Sequence, residues 1–309
     1  MLYSEVMGSY PPTPPPHEQR TVHGGPNPEF LPPGTGTFTS PPPPVRRRRQ
    51  SWASAPATYF LVGINCAVYI AMVLNGVSAV SPTTAQLMHW GANNAGSVLI
   101  NGEWWRIVSA MFVHVGFLHL ATNMWCLWNL GLLAEPLMGS AGVMAVYILT
   151  GAAGNLLSTF KGWYSFHQAW EAYHAAGGLD PAIMFPAGAG ASGAVFGIAG
   201  ALIVLLKSDR LPVPPIELKK LRKSVIYFAG LNLVLGLSIN AGSSYMGGGL
   251  NIDNFAHIGG FSSGLLFAAP MIPRLGSPRP LFDMRLRVAV GMLVGVLVLF
   301  SFYLSQLPG

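Results

Sequence analysis

Four polar side chains lie in strongly apolar parts of this sequence. Ser192 lies in PAGAGASGAVFG, directly before the apolar run IAGALIVLLK, and His257 lies in NFAHIGGFSSG. His119 and Asn123 are four residues apart in HLATN, so they share one face of a helix. A serine hydroxyl becomes a good nucleophile when a histidine takes its proton, and nearby donors stabilise the oxyanion that forms. These residue types therefore predict acyl-transfer chemistry.

In that chemistry Ser192 is the expected nucleophile and His257 the expected general base and acid. The side chains of His119 and Asn123, with the backbone N–H of Ser192 at a helix start, are the expected oxyanion donors. The prediction holds only if separate elements bring all four residues together.

The composition predicts that those elements are membrane helices. Of 309 residues, 51% are hydrophobic and only 9% are charged, whereas about a quarter are charged in soluble domains. A spanning helix needs about 20 mostly apolar residues. We predict an all-α, polytopic membrane fold with seven spans, six in a core and one after it. The apolar windows cover residues 57–79, 113–134, 141–160, 191–207, 224–243, 253–273 and 286–306.

The basic residues predict how these spans are oriented, because cytoplasmic loops accumulate Lys and Arg. Fifteen of the 17 lie in three regions: the amino-terminal tail with its RRRR, the segment KSDRLPVPPIELKKLRK, and the segment PRLGSPRPLFDMRLR. With seven spans, all three regions are cytoplasmic and the carboxyl terminus is outside. Windows two, four and six then place the four polar side chains near their outer ends, at similar depth.

Two glycine pairs predict that windows four and six are neighbours. Gly193 and Gly197 form a face of small residues on window four, and Gly260 and Gly264 form another on window six. Such small-xxx-small faces let membrane helices approach closely. The approach would turn His257 toward Ser192.

The chain divides into three predicted parts. Residues 1–52 are a proline-rich, basic cytoplasmic tail that we expect to be disordered, and a partner that recognises polyproline II helices could bind it. Residues 53–273 are the six-helix domain, and 274–309 are a linker and the seventh helix. Within the domain, the aromatic spacing of 161–189 predicts an inserted amphipathic helix on the membrane surface.

No cofactor, metal or nucleic acid is predicted. Cys66 and Cys126 lie within apolar windows and suggest neither a disulfide framework nor a metal site. His167, Glu171 and His174 share one side of the inserted helix, which would suit a metal, but polar residues facing water give the same pattern. The basic residues adjoin apolar windows, so a membrane explains them better than nucleic acid does.

Four motifs together resemble the rhomboid family of intramembrane serine proteases: GASG around Ser192, AHIGGFSSG around His257, HLATN, and EWWR at 103–106. The likeness covers about residues 57–273. It implies a six-helix core whose Ser–His dyad opens to outer water, and cleavage of single-span membrane proteins near their outer ends. It also implies that Trp105 and Arg106 have a structural role, and that the ring of Phe196 packs against the catalytic histidine.

Three features depart from the minimal family pattern: the tail, the aromatic insertion and the seventh helix. A helix added after the core is expected in a bacterial inner membrane first and in a eukaryotic secretory membrane second. Asp253 lies four residues before His257, but the family works as a dyad, so we expect this aspartate to cap a helix rather than join a triad.

Other classes of protein remain as alternatives. A non-catalytic relative that binds and steers membrane proteins usually lacks the serine or the histidine, and both are present here. A channel or transporter could use intramembrane His and Asn, but these groups gather at one depth and no acidic residue lies mid-span. A lipase-like hydrolase needs a GxSxG turn after a strand, which GASG does not supply.

Overall fold

The computed structural model describes residues 55–178, 180–245 and 253–307, which all fall within one unit, Gln50–Gly309. The proline-rich tail predicted for residues 1–52 lies outside the described residues. In chain order the helices are α1 (Pro56–Leu74), α2 (Thr84–His89), α3 (Ala95–Leu99), α4 (Arg106–Ser109), α5 (Phe117–Ala175), α6 (Ser192–Leu205), α7 (Pro215–Tyr245), α8 (Asn254–Ala268) and α9 (Arg279–Ser305).

Helices occupy all seven predicted windows, so the mainly helical fold is confirmed. The described residues also contain a two-stranded sheet that the sequence did not predict. Strand β1 (Asn93–Asn94) pairs antiparallel with β2 (Ala187–Gly188), in the register Asn93 with Gly188 and Asn94 with Ala187.

Windows two and three are two parts of α5, divided at Gly139. The backbone there is non-helical, with φ of 69° and ψ of 167°. Glycine adopts this left-handed φ without the steric cost that a Cβ brings. The break follows Pro136, whose ring already weakens the preceding turn. The chain therefore changes direction between the two windows without leaving a long loop.

The aromatic stretch that was predicted as an inserted helix is helical as far as Ala175, but it is continuous with window three. The second part of α5 does not end with window three at residue 160; it continues as one helix to Ala175. The connecting sequence STFKGWYS contains no proline, and Gly162 faces the methyl group of Ala95, so nothing breaks the helix there. The position of this extension relative to a membrane stays a prediction, as does the boundary of the insertion at 161–189.

Three helices among the described residues are long and apolar enough to cross a bilayer: α1, α5 and α9. Helix α6 is apolar but has only 14 residues, a length of about 21 Å against a hydrocarbon core of about 30 Å. Eleven of its 14 residues are buried, because α5 and α8 pack around it. Protein rather than lipid surrounds α6, so it need not match the bilayer thickness. The count of seven spans stays a prediction.

The close approach of α6 and α8 is confirmed. A Cβ added to Gly260 would overlap the carbonyl oxygen of Gly193, and one added to Gly264 would overlap that of Gly197. A Cβ at Gly154 on α5 would likewise stand 2.5 Å from the carbonyl oxygen of Ala256 on α8. Backbone therefore packs directly on backbone where these three helices meet.

A buried carboxylate fixes the start of α1. Glu135 accepts hydrogen bonds from the backbone N–H groups of Ala57 and Thr58, both at 2.9 Å, and from the hydroxyls of Thr58 and Ser140, both at 2.7 Å. The first N–H groups of a helix have no partner within it, so this carboxylate acts as a cap supplied from another helix. It ties α1 to α5 beside the break.

Candidate active site

Ser192 is the first residue of α6, and three tethers fix the segment that leads to it. Strand β2 pairs with β1, the N–H of Gly190 donates to the carbonyl oxygen of Ala110 at 2.9 Å, and the N–H of Ala191 donates to Nε2 of His114 at 3.4 Å. Gly190 has φ of 131°, which only glycine adopts readily. The hydroxyl thus stands on a helix whose entry path is held from several sides.

The structure brings Ser192 and His257 together. Nε2 of His257 lies 2.9 Å from Oγ of Ser192, a hydrogen-bond distance across the α6–α8 contact. His257 is the fourth residue of α8 and is buried, with 6% of its surface exposed. If Nε2 accepts the hydroxyl proton, the neutral ring carries its own hydrogen on Nδ1. This is the arrangement that general-base activation of a serine requires.

The ring of Phe196 fixes the orientation of the imidazole. It stacks on His257 with centroids 4.4 Å apart and planes 12° from parallel. Phe196 lies one turn after Ser192 on the same helix, so α6 supplies both the hydroxyl and the ring that holds its partner. The packing expected for Phe196 is therefore confirmed.

Asp253 caps α8 as expected. Its Oδ1 accepts the N–H of Ala256 at 3.0 Å, and its Oδ2 accepts the hydroxyl of Ser158. Nδ1 of His257 is buried and makes no hydrogen bond to any described residue. Within the described part of the chain, no acidic side chain bonds to the imidazole of His257.

His119 lies against the segment that precedes Ser192. A Cβ added to Gly190 would stand 2.6 Å from Cε1 and 3.0 Å from Nε2 of this imidazole. The N–H of Val115 donates to Nδ1 of His119 at 3.3 Å, which assigns the ring hydrogen to Nε2 in the neutral form. Nε2–H is therefore a donor on the side of the ring that faces the Ser192 segment.

Asn123 lies one turn further along α5 and borders a small open cavity of about 60 Å³. Its Nδ2 donates to the carbonyl oxygen of His119 at 2.8 Å, which leaves a second N–H for another acceptor. Neither Asn123 nor His119 bonds to Ser192 itself among the described contacts, so an acceptor brought by a ligand would meet unused donors. The other residues around the cavity come from three helices and are Thr122, Cys126, Val195, Phe196, Phe228 and Asn232.

His114 was not predicted as part of the site. It is fully buried, and its Nε2 accepts the backbone N–H of Ala191, next to Ser192. Its ring centroid lies 5.4 Å from that of His119. His114 precedes α5 and belongs to no helical face, so periodicity could not single it out. The available signal was a third histidine five residues before His119.

Arg106 supports the outer segment before α5. Its guanidinium donates to the carboxylate of Glu103 at 2.6 Å and to the carbonyl oxygens of Met88 at 2.7 Å and Ala92 at 3.1 Å. A buried arginine that satisfies backbone carbonyls organises a loop. These contacts support the structural role expected for the residue.

The described residues contain no group of three His, Cys, Asp or Glu side chains that could hold a metal ion. The alternative metal site at His167, Glu171 and His174 therefore has no support. His167 instead approaches the carbonyl oxygen of Trp163 at 3.1 Å, and the ring of His174 packs on Trp170 with centroids 5.2 Å apart.

The fold and the site define a class: a helical membrane protein in which a serine and a histidine on two tightly packed helices face each other. The sequence model of the Rhomboid domain matches residues 101–274, more than half of the chain. That range contains all four site residues. The chain belongs to the rhomboid family, and with its apolar helices it is an integral membrane protein.

Relatives from bacteria and plants agree with this assignment. The chain is 30% identical to rhomboid protease GluP of Bacillus subtilis over 247 residues, and 28% identical to rhomboid protease AarA of Providencia stuartii over 228 residues. It is 29% identical to RHOMBOID-like protein 1 of Arabidopsis thaliana over 187 residues.

The matched regions differ in how much of each protein they cover. They span 80%, 72% and 60% of this chain for the three relatives in that order. The share of the relative itself is 40% for GluP, 75% for AarA and 39% for RHOMBOID-like protein 1. The matched region therefore spans less than half of GluP and of the plant protein.

Proposed function

We propose that this protein is an intramembrane serine endopeptidase that cleaves single-span membrane proteins near the outer face of the membrane. The observation that carries the proposal is the 2.9 Å separation of Ser192 Oγ and His257 Nε2. Membership of a family whose bacterial relatives are named rhomboid proteases supports it. The outer location rests on the distribution of Lys and Arg, which puts the starts of α6 and α8 on the side with few basic residues.

The mechanism follows from the positions of the four groups. His257 takes the proton of Ser192 while Oγ attacks the scissile carbonyl carbon, and the carbonyl oxygen becomes an oxyanion. Asn123 Nδ2, His119 Nε2 and the N–H of Ser192 donate to that oxygen. The protonated His257 then gives its proton to the leaving amine, which releases one fragment and leaves an acyl group on Ser192.

Water completes the reaction with the same histidine. His257 takes a proton from a water molecule, the hydroxide attacks the acyl carbon, and Ser192 leaves with its proton restored. The cavity beside Asn123 has room for small groups next to the proposed oxyanion donors, since about 60 Å³ exceeds the ~10–15 Å³ that a water needs by this measure. The proposed roles of the four groups therefore account for each step of peptide hydrolysis.

Cleavage in reconstituted membranes tests the proposal. Purified protein is placed in proteoliposomes with a single-span substrate tagged at both ends, and the fragments are sized and their new termini sequenced. The wild-type protein should cut near one end of the span. Ser192→Ala and His257→Ala should abolish the cut, and Ser262→Ala, which changes an exposed serine on α8, should not. A cut that survives Ser192→Ala contradicts the proposal.

Loss of one oxyanion donor should leave the nucleophile intact but slow the reaction. Asn123→Ala should lower the cleavage rate about 10²- to 10³-fold, the usual cost of removing such a donor. Unchanged cleavage by Asn123→Ala would exclude this residue from the oxyanion site without excluding the dyad.

The bacterial inner membrane is the proposed location, with the amino terminus in the cytoplasm and the carboxyl terminus outside. The two bacterial relatives and the basic segments support it. Tags at the two termini test the orientation: in spheroplasts only the carboxyl-terminal tag should be accessible to added protease. An accessible amino-terminal tag would contradict it.

A further inference from the structure

A second cavity lies far from the proposed dyad, between the break in α5 and the first turns of α9. Its volume is about 260 Å³. Asn123 and Gly139 are separated along α5 by 16 residues, or about 24 Å at 1.5 Å per residue. The proposed oxyanion donors are near the start of the first part of α5, and the cavity is at its other end, beside the break. The proposed catalytic chemistry does not use it.

Two arginines line this cavity, Arg274 and Arg279, together with one acid, Asp283. The ion pairs formed by described residues are Arg106 with Glu103 and Lys220 with Glu217, so neither cavity arginine is paired. The nearby carboxylate of Glu135 is occupied by four hydrogen bonds from other groups. The cavity thus keeps an excess of positive charge.

Arg274 is held in place over the helix break. Its backbone N–H donates to the carbonyl oxygen of Leu137 at 2.7 Å. Leu137 lies in the last turn of α5 before the break. A Cβ on Gly139 would stand 3.0 Å from Nη1 of Arg274, so the glycine leaves space for the guanidinium. The hydrogen bond to Leu137 therefore fixes the backbone of this arginine, and the space beside Gly139 accommodates its guanidinium.

Apolar side chains complete the lining, and they come from both sides of the cavity: Met138, Phe282 and Leu286. A cavity with guanidinium groups and apolar surface suits a molecule with an anionic head and an apolar body. Guanidinium groups bind phosphate through paired N–H donors. The basic segment that contains Arg274 and Arg279 is predicted to lie at the cytoplasmic face, where anionic phospholipids attract basic side chains.

We propose that this cavity binds the phosphate group of an anionic phospholipid, with Arg274 and Arg279 as ligands. The Rhomboid domain match ends at residue 274, so α9 supplies one wall from outside the matched domain. Helix α9 would then form one wall of a lipid site beside the helices that carry the proposed dyad. Bound lipid would join α9 to the break in α5.

Lipid binding by the intact, delipidated protein tests this proposal. Native mass spectrometry in detergent counts the bound molecules of dihexanoyl-phosphatidylglycerol, which is anionic, and of dihexanoyl-phosphatidylcholine, which is zwitterionic. We expect one anionic lipid to bind preferentially. Arg274→Gln and Arg279→Gln should each weaken that binding about fivefold, the contribution of one basic side chain near an anionic surface. Asp283→Asn should strengthen it, because it removes the only acidic side chain around the cavity among the described residues.

Arg287→Gln is the matched control, since it removes the same charge from an exposed position on α9 outside the cavity lining. It should bind the lipid as the wild type does. Equal weakening in Arg287→Gln, or equal binding of both lipids, would overturn the proposal in favour of general charge attraction. Inorganic phosphate and glycerol phosphate form a third arm: binding of these ions as tight as that of the lipid would overturn the assignment to a lipid. The opposite signs expected for Arg279→Gln and Asp283→Asn keep the test informative if Arg274→Gln fails to fold.

Discussion

Helices α6 and α8 meet backbone to backbone, whereas the described side chains of α7 contact the bundle along one narrow stripe. A Cβ at Gly260 would overlap the carbonyl oxygen of Gly193. A Cβ at Gly230 on α7 would have no atom within 4 Å. The buried side chains described on α7 are spaced seven and four residues apart and are Leu218, Val225 and Ala229.

The two regions have different tasks in the proposed mechanism. The 2.9 Å distance between Ser192 and His257 depends on two backbones that cannot approach further or shift without a clash. Helix α7 instead borders the cavity beside Asn123 through Phe228 and Asn232. Dense packing therefore fixes the reacting groups, and sparse packing leaves space beside them.

The largest expected effect comes from adding a methyl group where α6 and α8 pack backbone to backbone. Gly260→Ala places a methyl group on the carbonyl oxygen of Gly193, and the two helices must separate. Overpacking typically costs about 1–3 kcal/mol. A shift of a reacting group by about 1 Å costs about 100-fold in rate. We expect cleavage to fall about 100-fold and the thermal midpoint to drop, measured by the proteoliposome assay and by thermal unfolding in detergent.

A moderate effect is expected from removing the ring that holds the histidine. Phe196→Ala deletes the partner stacked on His257 at 4.4 Å. An aromatic pair contributes about 0.5–1.5 kcal/mol, so the rate of cleavage should fall by up to about tenfold with little change in KM. Phe196→Tyr keeps the ring and should retain most of the rate. Equal losses in both variants would show that orientation of the imidazole is not the cause.

A smaller effect on activity is expected from the extension of α5. Trp163 stacks on Phe185 with centroids 5.7 Å apart and planes 4° from parallel, and Phe185 precedes the segment that leads to Ser192. Trp163→Ala should lower stability by about 3 kcal/mol, as buried Trp-to-Ala changes do. The cleavage rate at a temperature where the protein stays folded should fall only a few-fold. Trp163→Phe is the control. A loss of activity as large as that of Gly260→Ala would place the extension within the catalytic machinery.

The smallest effect is expected from the same glycine-to-alanine change on α7, where the packing is sparse. Gly230→Ala adds a Cβ to open space and removes a glycine from a helix. Alanine favours helix over glycine by about 0.5–1 kcal/mol, so the thermal midpoint should stay equal or rise slightly. Cleavage should be unchanged. A large loss of activity in Gly230→Ala would contradict the contrast between the two regions.

Sequence patterns predicted the α6–α8 contact because its causes are local. Glycines four residues apart form a face of small residues on a helix. Because α6 and α8 each have such a face, the sequence predicted that these two helices pack against each other. The helical spacing of His119 and Asn123 likewise placed them on one face of α5. The proximity of Ser192 and His257 then followed from topology.

Other features depend on contacts between distant parts of the chain, and these the sequence did not show. Glu135 caps α1 from 77 residues away, and His114 binds the backbone of Ala191 across the same separation. The length of the helix that contains the third window was also not predicted: it continues past the window to Ala175. The sequence becomes less apolar after residue 160, but the helix does not end there, so the end of an apolar window does not mark the end of a helix.

Covalent labelling tests the paired serine and histidine most directly. The protein is treated with a serine-reactive fluorophosphonate, and the modified peptide is mapped by mass spectrometry. A hydroxyl activated by His257 predicts label on Ser192 in the wild type and in Ser262→Ala, and none in Ser192→Ala or His257→Ala. Label that persists on Ser192 at the wild-type rate in His257→Ala, or that lies on another serine, would contradict the dyad.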